Sequence, residues 1–328
     1  MFTVKLSTPS PEWPLLRQTP NSKGVWGNYQ FFADQDIAEC DYWVVYENLL
    51  GTQKTLCPSG NTLLITAEPC SEHYPRKFLK QFGEIVSFHR DLGCPNVIYN
   101  QPALPWHVGR KVVKDKNIGW SKDYDELKLI KDFRKNKTIS VITSNKSFLP
   151  GHLKRLEFVR KLEKQDRFDV DIFGRGIKDI EDKWDAIANY KYHIALENSR
   201  YPEYFTEKLT DAFLGGSYPF YYGCSNIENY FPEGSFTTID IDNFEKSIDT
   251  IDNAINNNAY AESIDKIKIA RELVLDKYNI FPTLVNIFES LPHQTNKNKE
   301  TITIFPQLNY QSLLKSFEQK VMARAHLS

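Results

Sequence analysis

The sequence has few cysteines, almost no net charge and no long apolar run. Its five cysteines are scattered and odd in number among 328 residues, so they do not suggest a disulfide framework, and we interpret them as reduced thiols. A net charge of −1 argues against a dedicated nucleic-acid surface, because phosphate binding requires a concentrated excess of lysine and arginine. The longest uncharged run, residues 212–227, is interrupted by glycine and proline and is shorter than the ~20 apolar residues that cross a membrane.

A secretory signal is missing as well. The first residues lack a basic segment followed by an apolar one, which is the pattern of such a signal. The sequence therefore predicts a cytoplasmic protein with at most a peripheral contact to the inner membrane.

The composition that is present is typical of a folded protein with two domains. Hydrophobic residues make up 41% of the chain and aromatic residues 13%. The length of 328 residues suffices for about two domains of roughly 100–200 residues each. Short runs of β-branched and aromatic residues alternate with helical patterns, which favours parallel α/β units. We expect two doubly wound domains that face each other across a cleft, with ligands at the carboxyl ends of the strands.

The predicted elements divide the chain into two series. The first series has strands at residues 41–46, 62–66 and 84–88 and a helix at residues 75–82. The second has strands at residues 138–143, 168–173, 191–196, 218–222 and 236–241, and helices at residues 152–164, 206–214, 244–256 and 260–278. The charged, apolar-poor segment 111–137 is the predicted passage between them. The domains are therefore residues 1–137 and 138–300.

Residues 301–328 are expected to form a C-terminal helix. Residues 310–322 place their apolar side chains on one helical stripe. Two interpretations stay open: a helix on a membrane surface, and a helix that packs back on the N-terminal domain. We favour the second, because the polar face has no strong basic excess.

The densest group of polar and aromatic residues lies between residues 192 and 223. It is predicted to be a strand, a polar loop and a helix that begins near Thr206, with Glu207 and Lys208 in its first turn. A helix N-terminus offers free N–H groups and the positive end of the helix dipole, which suits a diphosphate. A lysine in this turn opposes the dipole and so favours a bound anion. The alternative is a solvated Glu–Lys pair.

This region resembles the α-1,3/4-fucosyltransferases, glycosyltransferase family 10. The resemblance covers roughly residues 138–241 and rests on an ordered series of motifs: Glu197-Asn198-Ser199, Tyr204-Phe205-Thr206-Glu207-Lys208, the run 212–219, Tyr222-Gly223 and the run 231–236. It implies a GT-B-like α/β fold with two Rossmann-type domains, GDP-fucose as the donor, and inversion at the anomeric carbon.

The resemblance also implies which residues bind the donor. It assigns Asn198, Tyr204, Glu207 and Lys208 to the donor site, with Lys208 on the diphosphate and Glu207 on donor hydroxyls. The further residues expected to contact the nucleotide are Ser144, Asn145, Gly174 and Arg175.

Arg155 matches the arginine that holds the diphosphate in this family. A guanidinium together with an ammonium can neutralise a departing GDP without a metal. Considered alone, Arg155 also fits a solvated position on an amphipathic helix.

The general base is expected in the N-terminal half. Residues 62–69, a strand that ends in Glu68-Pro69, are similar to the family's strand whose glutamate is the proposed base. Glu68 is therefore the candidate, since the carboxyl end of a buried strand presents a group toward a ligand. The alternative for Glu68 is a loop carboxylate that caps the helix near Pro75, and Glu72 is the substitute.

Metal-binding patterns are present but weak. Asp169-Val170-Asp171 and Asp240-Ile241-Asp242 fit a metal-held diphosphate, yet a half-exposed strand gives the same spacing. Cys70-x-x-His73 has no second pair at zinc-finger spacing, and we interpret His193 and Cys224 as core residues. We expect no metal site and no required cofactor, with a divalent cation at most stimulatory.

The sequence thus predicts an inverting fucosyltransferase that transfers L-fucose from GDP-fucose to the 3-hydroxyl, or the 4-hydroxyl, of an N-acetylglucosamine or glucose unit. Its expected partners are that donor and an oligosaccharide or glycan acceptor. Two alternatives stay open: another GDP- or UDP-sugar transferase on the same fold, and a non-catalytic glycan- or nucleotide-binding protein.

Overall fold

The computed structural model describes residues 1–70, 73–114, 116–145, 150–291 and 298–310. Its strands, numbered along the chain, are β1 (Phe2–Ser7), β2 (Val25–Trp26), β3 (Tyr29–Ala33), β4 (Tyr42–Tyr46), β5 (Gln53–Cys57), β6 (Thr62–Ile65), β7 (Glu84–Ser87), β8 (Val97–Tyr99), β9 (Arg110–Val113), β10 (Lys116–Trp120), β11 (Lys137–Ile142), β12 (Asp171–Phe173), β13 (Tyr190–Leu196), β14 (Tyr218–Tyr222), β15 (Thr237–Thr238) and β16 (Glu300–Ile304).

The helices are α1 (Arg76–Leu79), α2 (Tyr124–Leu129), α3 (Pro150–Lys164), α4 (Lys183–Ile187), α5 (Glu207–Leu214), α6 (Phe244–Asn256), α7 (Ala259–Glu262), α8 (Ile264–Leu273) and α9 (Ile280–Ser290). Within the ranges that the structure describes, none of these helices has both the length and the apolar character needed to cross a bilayer.

The chain folds as two units, each with its own parallel sheet. The first unit contains Met1–Pro11, Gly27–Asn100 and the chain from Glu289, and the second contains Glu12–Trp26 and Gln101–Phe288. The first unit is therefore built from three separate stretches of sequence.

The division near residue 100 differs from the predicted boundary at residue 137. The charged segment that we interpreted as a passage contains the β9–β10 hairpin and α2, which belong to the second unit. Leu127 of this segment is buried in the core of that unit, and Tyr124 and Ile130 pack against the same core. A few apolar residues thus fix a segment that is otherwise polar.

In the first unit, strands β3, β1, β4, β6, β7 and β8 lie side by side in that order and run parallel. The predicted strands at residues 41–46, 62–66 and 84–88 are confirmed as β4, β6 and β7. β4 is buried along its whole length because all five of its residues are aromatic or β-branched. The predicted helix at residues 75–82 is the short helix α1.

The end of the described chain returns to the first unit. β16 pairs with β5 in antiparallel fashion, and Ile304 is buried in the same core as Cys57. Residues 300–304 are therefore a strand. The described residues end at residue 310, so the predicted helix at residues 310–322 lies outside them except for its first residue.

In the second unit, the strand order is β12-β11-β13-β14-β15, and all neighbours are parallel. Successive residues of β13 enter different cores: Ile194 and Leu196 join one cluster, and Ala195 joins the other. Because alternate strand residues point to opposite faces, both faces of this sheet are covered, as a doubly wound fold requires. The predicted α/β fold class is confirmed.

Some predicted elements of the second unit are shorter or divided. The strands predicted at residues 168–173 and 236–241 are shorter in the structure, where they correspond to β12 and β15. The helix predicted at residues 260–278 is divided into α7, α8 and a π-helical turn at Val274–Tyr278. Ser263 ends α7 with non-helical backbone angles, although the apolar periodicity continues through it. Periodicity alone therefore could not locate the break.

Candidate active site

A cavity of about 300 Å³ lies at the carboxyl edge of the sheet in the second unit. It is lined by the chain that leaves β11 and β12, by the end of β13, by α3 and by the first turns of α5. Parallel sheets present their ligand sites at this edge, and the volume is at the lower end of the range of about 300–1,000 Å³ for small-molecule pockets. The lining residues that bear charge are Arg110, Arg155, Arg175, Glu181, Lys183, Glu207, Lys208 and Asp211.

The start of α5 is fixed by Glu197, which follows β13. Glu197 is fully buried, and its carboxylate accepts hydrogen bonds from Thr206 N and Thr206 Oγ1, each at 2.8 Å. Thr206 is the helix N-cap and accepts a hydrogen bond from Lys208 N at 3.3 Å. Burial raises the pKa of Glu197, although the Lys208 charge opposes the shift. A single buried carboxylate thus orients the first turn of the helix.

Lys208 projects from this turn into the cavity. Its Nζ lies 3.2 Å from Glu197 Oε2, 3.5 Å from Glu207 Oε1 and 3.0 Å from Thr206 Oγ1. Burial lowers the pKa of Lys208, but the charges of Glu197 and Glu207 more than offset this and raise it above its usual value. Lys208 is therefore an ammonium held by a buried carboxylate, which excludes the alternative of a solvated Glu–Lys pair.

Glu207 is surrounded by basic groups. Lys183 Nζ lies 3.3 Å and His107 Nδ1 3.8 Å from its Oε1. Burial alone would raise the pKa of Glu207, but the charges of Lys208 and Lys183 hold it well below its usual value. Glu207 is therefore ionised and can accept hydrogen bonds from hydroxyl groups of a ligand.

Arg155 reaches the cavity from α3. It is buried, at 6% exposure, and its Nε has no hydrogen-bond partner among the described residues. Burial lowers the pKa of Arg155, against the attraction of Glu197 and Glu207, yet a guanidinium stays charged at neutral pH. A buried cation with an unused donor is suited to an anionic ligand, and the solvated alternative for Arg155 is excluded.

The structure places the other predicted donor residues in two groups. Ser144, Gly174 and Arg175 line the cavity, and Asn145 N donates to Arg175 O at 3.3 Å. Gly174 has a φ of +127°, and a Cβ there would lie 1.6 Å from Thr143 O, so only glycine lets the two loops meet.

Asn198 and Tyr204 are not among the residues that line this cavity. Tyr204 OH donates to Asn198 Oδ1 at 3.0 Å, and Asn198 Nδ2 lies 3.4 Å from His152 Nε2 on α3. They connect the loop after β13 to α3, the helix that bears Arg155. Their predicted contact with the donor stays a prediction.

The lining residues that the sequence analysis missed include His107, Arg110, Lys183 and Asp211. Asp211 Oδ1 accepts hydrogen bonds from His107 N at 2.8 Å and Val108 N at 3.1 Å, and its Oδ2 lies 3.2 Å from Lys183 Nζ. These partners are distant in sequence, so no spacing pattern could have connected them.

Glu68 lies in the first unit, directly beyond β6, with its side chain exposed. Its backbone is held: Glu68 N donates to Glu47 Oε1 at 2.8 Å, and Glu68 O lies 2.8 Å from His89 Nε2. The N-cap of α1 is Pro75, without a side-chain cap, so Glu68 does not cap that helix. Its role as a base stays a prediction, and Glu72 lies outside the described residues.

The residues of the predicted metal patterns have other partners. Asp171 accepts hydrogen bonds from Lys137 Nζ at 3.0 Å and Tyr190 OH at 2.6 Å, and Asp242 pairs with Lys154 at 2.8 Å. In the part of the chain that the structure describes, no three His, Cys, Asp or Glu residues form a group that could hold a metal ion. Independence from metals stays a prediction.

His193 and Cys224 are buried, as expected of core residues. His193 Nδ1 lies 2.9 Å from Ser140 Oγ, and burial lowers the pKa of His193 to about 3. Burial also raises the pKa of the Cys224 thiol to about 12. Both side chains are therefore neutral at ordinary pH.

Part of the chain matches a known family. Residues 133–260 match the model described as "Glycosyltransferase family 10 (fucosyltransferase) C-term". The chain is 33% identical over 111 residues to 4-galactosyl-N-acetylglucosaminide 3-alpha-L-fucosyltransferase 9 of Mus musculus, across 32% of this chain and 30% of that protein. It is 32% identical over 118 residues to alpha-(1,3)-fucosyltransferase 4 of Mus musculus, across 33% of this chain and 25% of that protein. The chain thus matches less than a third of the length of these relatives.

Solved structures resemble the chain at low identity. A crystal structure of an alpha1,3-fucosyltransferase with GDP aligns with a TM-score of 0.46 and 16% identity, covering 85% of this chain and 92% of that one. Anabaena HepE in complex with UDP aligns with a TM-score of 0.46 and 11% identity, covering 89% of this chain and all of the other. The fold class of this chain, α/β, is defined by the two parallel sheets described above.

Proposed function

We propose that the chain is an inverting fucosyltransferase with GDP-fucose as its donor, because residues 133–260 match the model of glycosyltransferase family 10, the fucosyltransferases. The proposed acceptor is the 3-hydroxyl, or the 4-hydroxyl, of an N-acetylglucosamine or glucose unit in a glycan. The name of the matched relative, a 4-galactosyl-N-acetylglucosaminide 3-alpha-L-fucosyltransferase, supports this acceptor class. A cytoplasmic location is part of the proposal.

The observation that supports the donor most strongly is the pair of cations at the cavity. Arg155 is buried with an unused Nε among the described residues, and Lys208 occupies the first turn of α5. A diphosphate would receive a forked guanidinium, an ammonium and the positive end of a helix. Two fixed cations can stabilise the charge that grows on the departing GDP, so the proposal requires no metal.

Glu207 would bind the sugar end of the donor. It is ionised and held by Lys183, and hydroxyl groups of fucose can donate to its carboxylate. An interaction with the sugar distinguishes GDP-fucose from GDP, whereas Arg155 and Lys208 would act on both. Recognition of the sugar and stabilisation of the leaving group thus fall to different residues.

Glu68 is the proposed general base for the acceptor hydroxyl. The carboxyl end of β6 supports this role, because the backbone of Glu68 is fixed on both sides while its carboxylate is exposed. Deprotonation would let the acceptor oxygen attack C1 of fucose in line with the departing GDP, which inverts that carbon.

A panel of nucleotide sugars tests the function. We expect hydrolysis or transfer with GDP-fucose, and stabilisation against thermal unfolding by GDP but not by UDP. Turnover of GDP-mannose or of a UDP-sugar, without turnover of GDP-fucose, would show that the proposed donor is wrong and would identify the other nucleotide sugar as the donor. Stabilisation by GDP without turnover on any acceptor would instead identify a nucleotide-binding protein that lacks catalysis.

A further inference from the structure

The segment His107–Arg110, which the sequence analysis placed in the N-terminal domain of residues 1–137, contributes to the lining of the cavity in the second unit. Its backbone is held by two buried carboxylates. Asp211 on α5 accepts from His107 N and Val108 N, and Asp182, the N-cap of α4, accepts from Gly109 N at 2.8 Å. Three successive N–H groups are thus fixed by helices of the family 10 domain.

Gly109 makes this arrangement possible. It has a φ of +77°, and a Cβ at this position would lie 2.4 Å from Lys122 Cβ. Any other residue would therefore displace the segment. Buried carboxylates with two or more partners are expensive to rearrange, so the direction in which the chain leaves Gly109 is well defined. The next residue, Arg110, begins β9 and lines the cavity.

The guanidinium of Arg110 has a fixed orientation, but two of its nitrogens lack hydrogen-bond partners among the described residues. It lies 4.4 Å above the ring of Trp13, a cation–π contact that fixes its plane. Its Nε and Nη1 are buried and have no hydrogen-bond partner among the described residues. Leaving a buried donor without a partner destabilises the protein, and the penalty is larger for a charged group. An anionic ligand in the cavity would remove that cost.

Two of the guanidinium groups that line the cavity, those of Arg110 and Arg155, have buried nitrogens that the other charges leave unpaired. Lys183 is matched by Glu207 and Asp211, and Lys208 is matched by Glu197 and Glu207. Arg110 and Arg155 form no ion pair with the residues that the structure describes, and both contain buried nitrogens without a hydrogen-bond partner there. A diphosphate has enough negative charge to serve both.

We propose that Arg110 binds the diphosphate of the donor as a second guanidinium, together with Arg155. This assignment rests on the proposed nucleotide-sugar donor. Two forked guanidinium groups fix the orientation of a diphosphate better than one, because each can bind two oxygens. They also place positive charge where the leaving group becomes more negative.

Calorimetric titration of the full chain with GDP, GMP and guanosine tests the assignment. Arg110→Gln keeps a polar side chain but removes the charge and the fork. We expect its affinity for GDP to fall about 10- to 100-fold, and its affinity for guanosine to change less than about twofold. The matched control is Arg160→Gln, an exposed arginine of α3 that does not line the cavity, which should leave all three affinities unchanged.

Each outcome decides the assignment. Equal losses for GDP and guanosine, no loss for GDP, or a wild-type chain that does not bind GDP would each overturn it. If Arg110→Gln does not fold, Arg110→Lys decides: a loss of threefold or more for GDP but not for guanosine supports the fork, and unchanged affinities overturn it. A wild-type chain that binds GDP, loses it in Arg110→Gln, and transfers no fucose would refute the proposed function while supporting the role of Arg110.

Discussion

The buried pair of Glu197 and Lys208 allows a quantitative test of how the start of α5 is held. Glu197→Gln keeps the shape of the side chain and one acceptor oxygen, but it removes the charge that lies 3.2 Å from Lys208 Nζ. It also places an amide NH₂ beside Thr206 Oγ1, which at present donates to both carboxylate oxygens at 2.8 Å. The ammonium and the hydroxyl therefore both lose a partner.

The structure sets the expected cost. Removing one partner of a buried ion pair costs about 3–5 kcal/mol. Lys208 keeps a second carboxylate, Glu207, at 3.5 Å, and 24% of its side chain is exposed, so we expect about 3 kcal/mol, the lower end of that range. Removing both charges, by Glu197→Gln with Lys208→Met, should cost less than the sum of the single variants by about 0.5–3 kcal/mol.

Native-state hydrogen exchange of the peptide that spans residues 206–214 measures the free energy of local opening for each protein of this cycle. The control cycle uses Glu157 and Lys161, an exposed pair on α3 at 2.8 Å, whose coupling should be much smaller because solvent screens both charges. If the coupling of Glu197 with Lys208 is no larger than that of the control pair, the buried pair does not hold the helix.

Four further predictions concern activity and pH. Arg155→Ala should raise the KM for the donor and lower kcat by about 10²–10³, measured by steady-state transfer kinetics; unchanged kinetics would remove Arg155 from the donor site. Glu68→Gln should lower kcat by about 10²–10⁴ with GDP affinity intact, whereas Glu72→Gln should retain most turnover; near-normal kcat in Glu68→Gln would mean another base. Activity should survive EDTA at least in part, and a complete loss restored by Mn²⁺ would contradict this. Burial raises the pKa of Glu47 to about 8, so the folded state retains a proton there and loses stability as pH rises toward 8. The unfolding free energy of wild type relative to Glu47→Gln should therefore fall by roughly 1–2 kcal/mol between pH 6.5 and 8 in urea titrations, and a constant difference would indicate an ordinary carboxyl.

Local patterns sufficed to predict the parts of the fold and site that depend on neighbours in sequence. The aromatic and β-branched run of β4 has no alternative to a buried strand, and Thr206 before Glu207 marks a helix start with a lysine that opposes the dipole. In both of these cases the physical cause lies within a few residues. Arg155 was instead predicted from the resemblance of its segment to family 10, because considered alone it also fits a solvated position on an amphipathic helix.

The sequence analysis could not predict contacts between residues that lie far apart in the sequence. His107 is 104 residues from Asp211, its backbone partner, and Lys183 is 24 residues from Glu207. A single charged residue in a polar stretch has no periodicity, so its burial depends entirely on what the fold brings beside it. The same reason explains why the domain boundary was predicted at residue 137 and not near residue 100. Leu127 is an apolar residue in a charged segment, and only its contacts in the folded chain assign it to the second unit.

The pairing of β16 with β5 also bears on how the chain folds during synthesis. Residues 101–288 emerge from the ribosome before residues 300–304, so the second unit is complete while the first still lacks one of its strands. At about 5–20 residues per second, Gln53–Cys57 waits roughly 10–50 s for its antiparallel partner. A strand edge left open for that long can pair with the wrong chain. Nascent chains of this protein are therefore most vulnerable to aggregation after β5 has been translated and before β16 arrives.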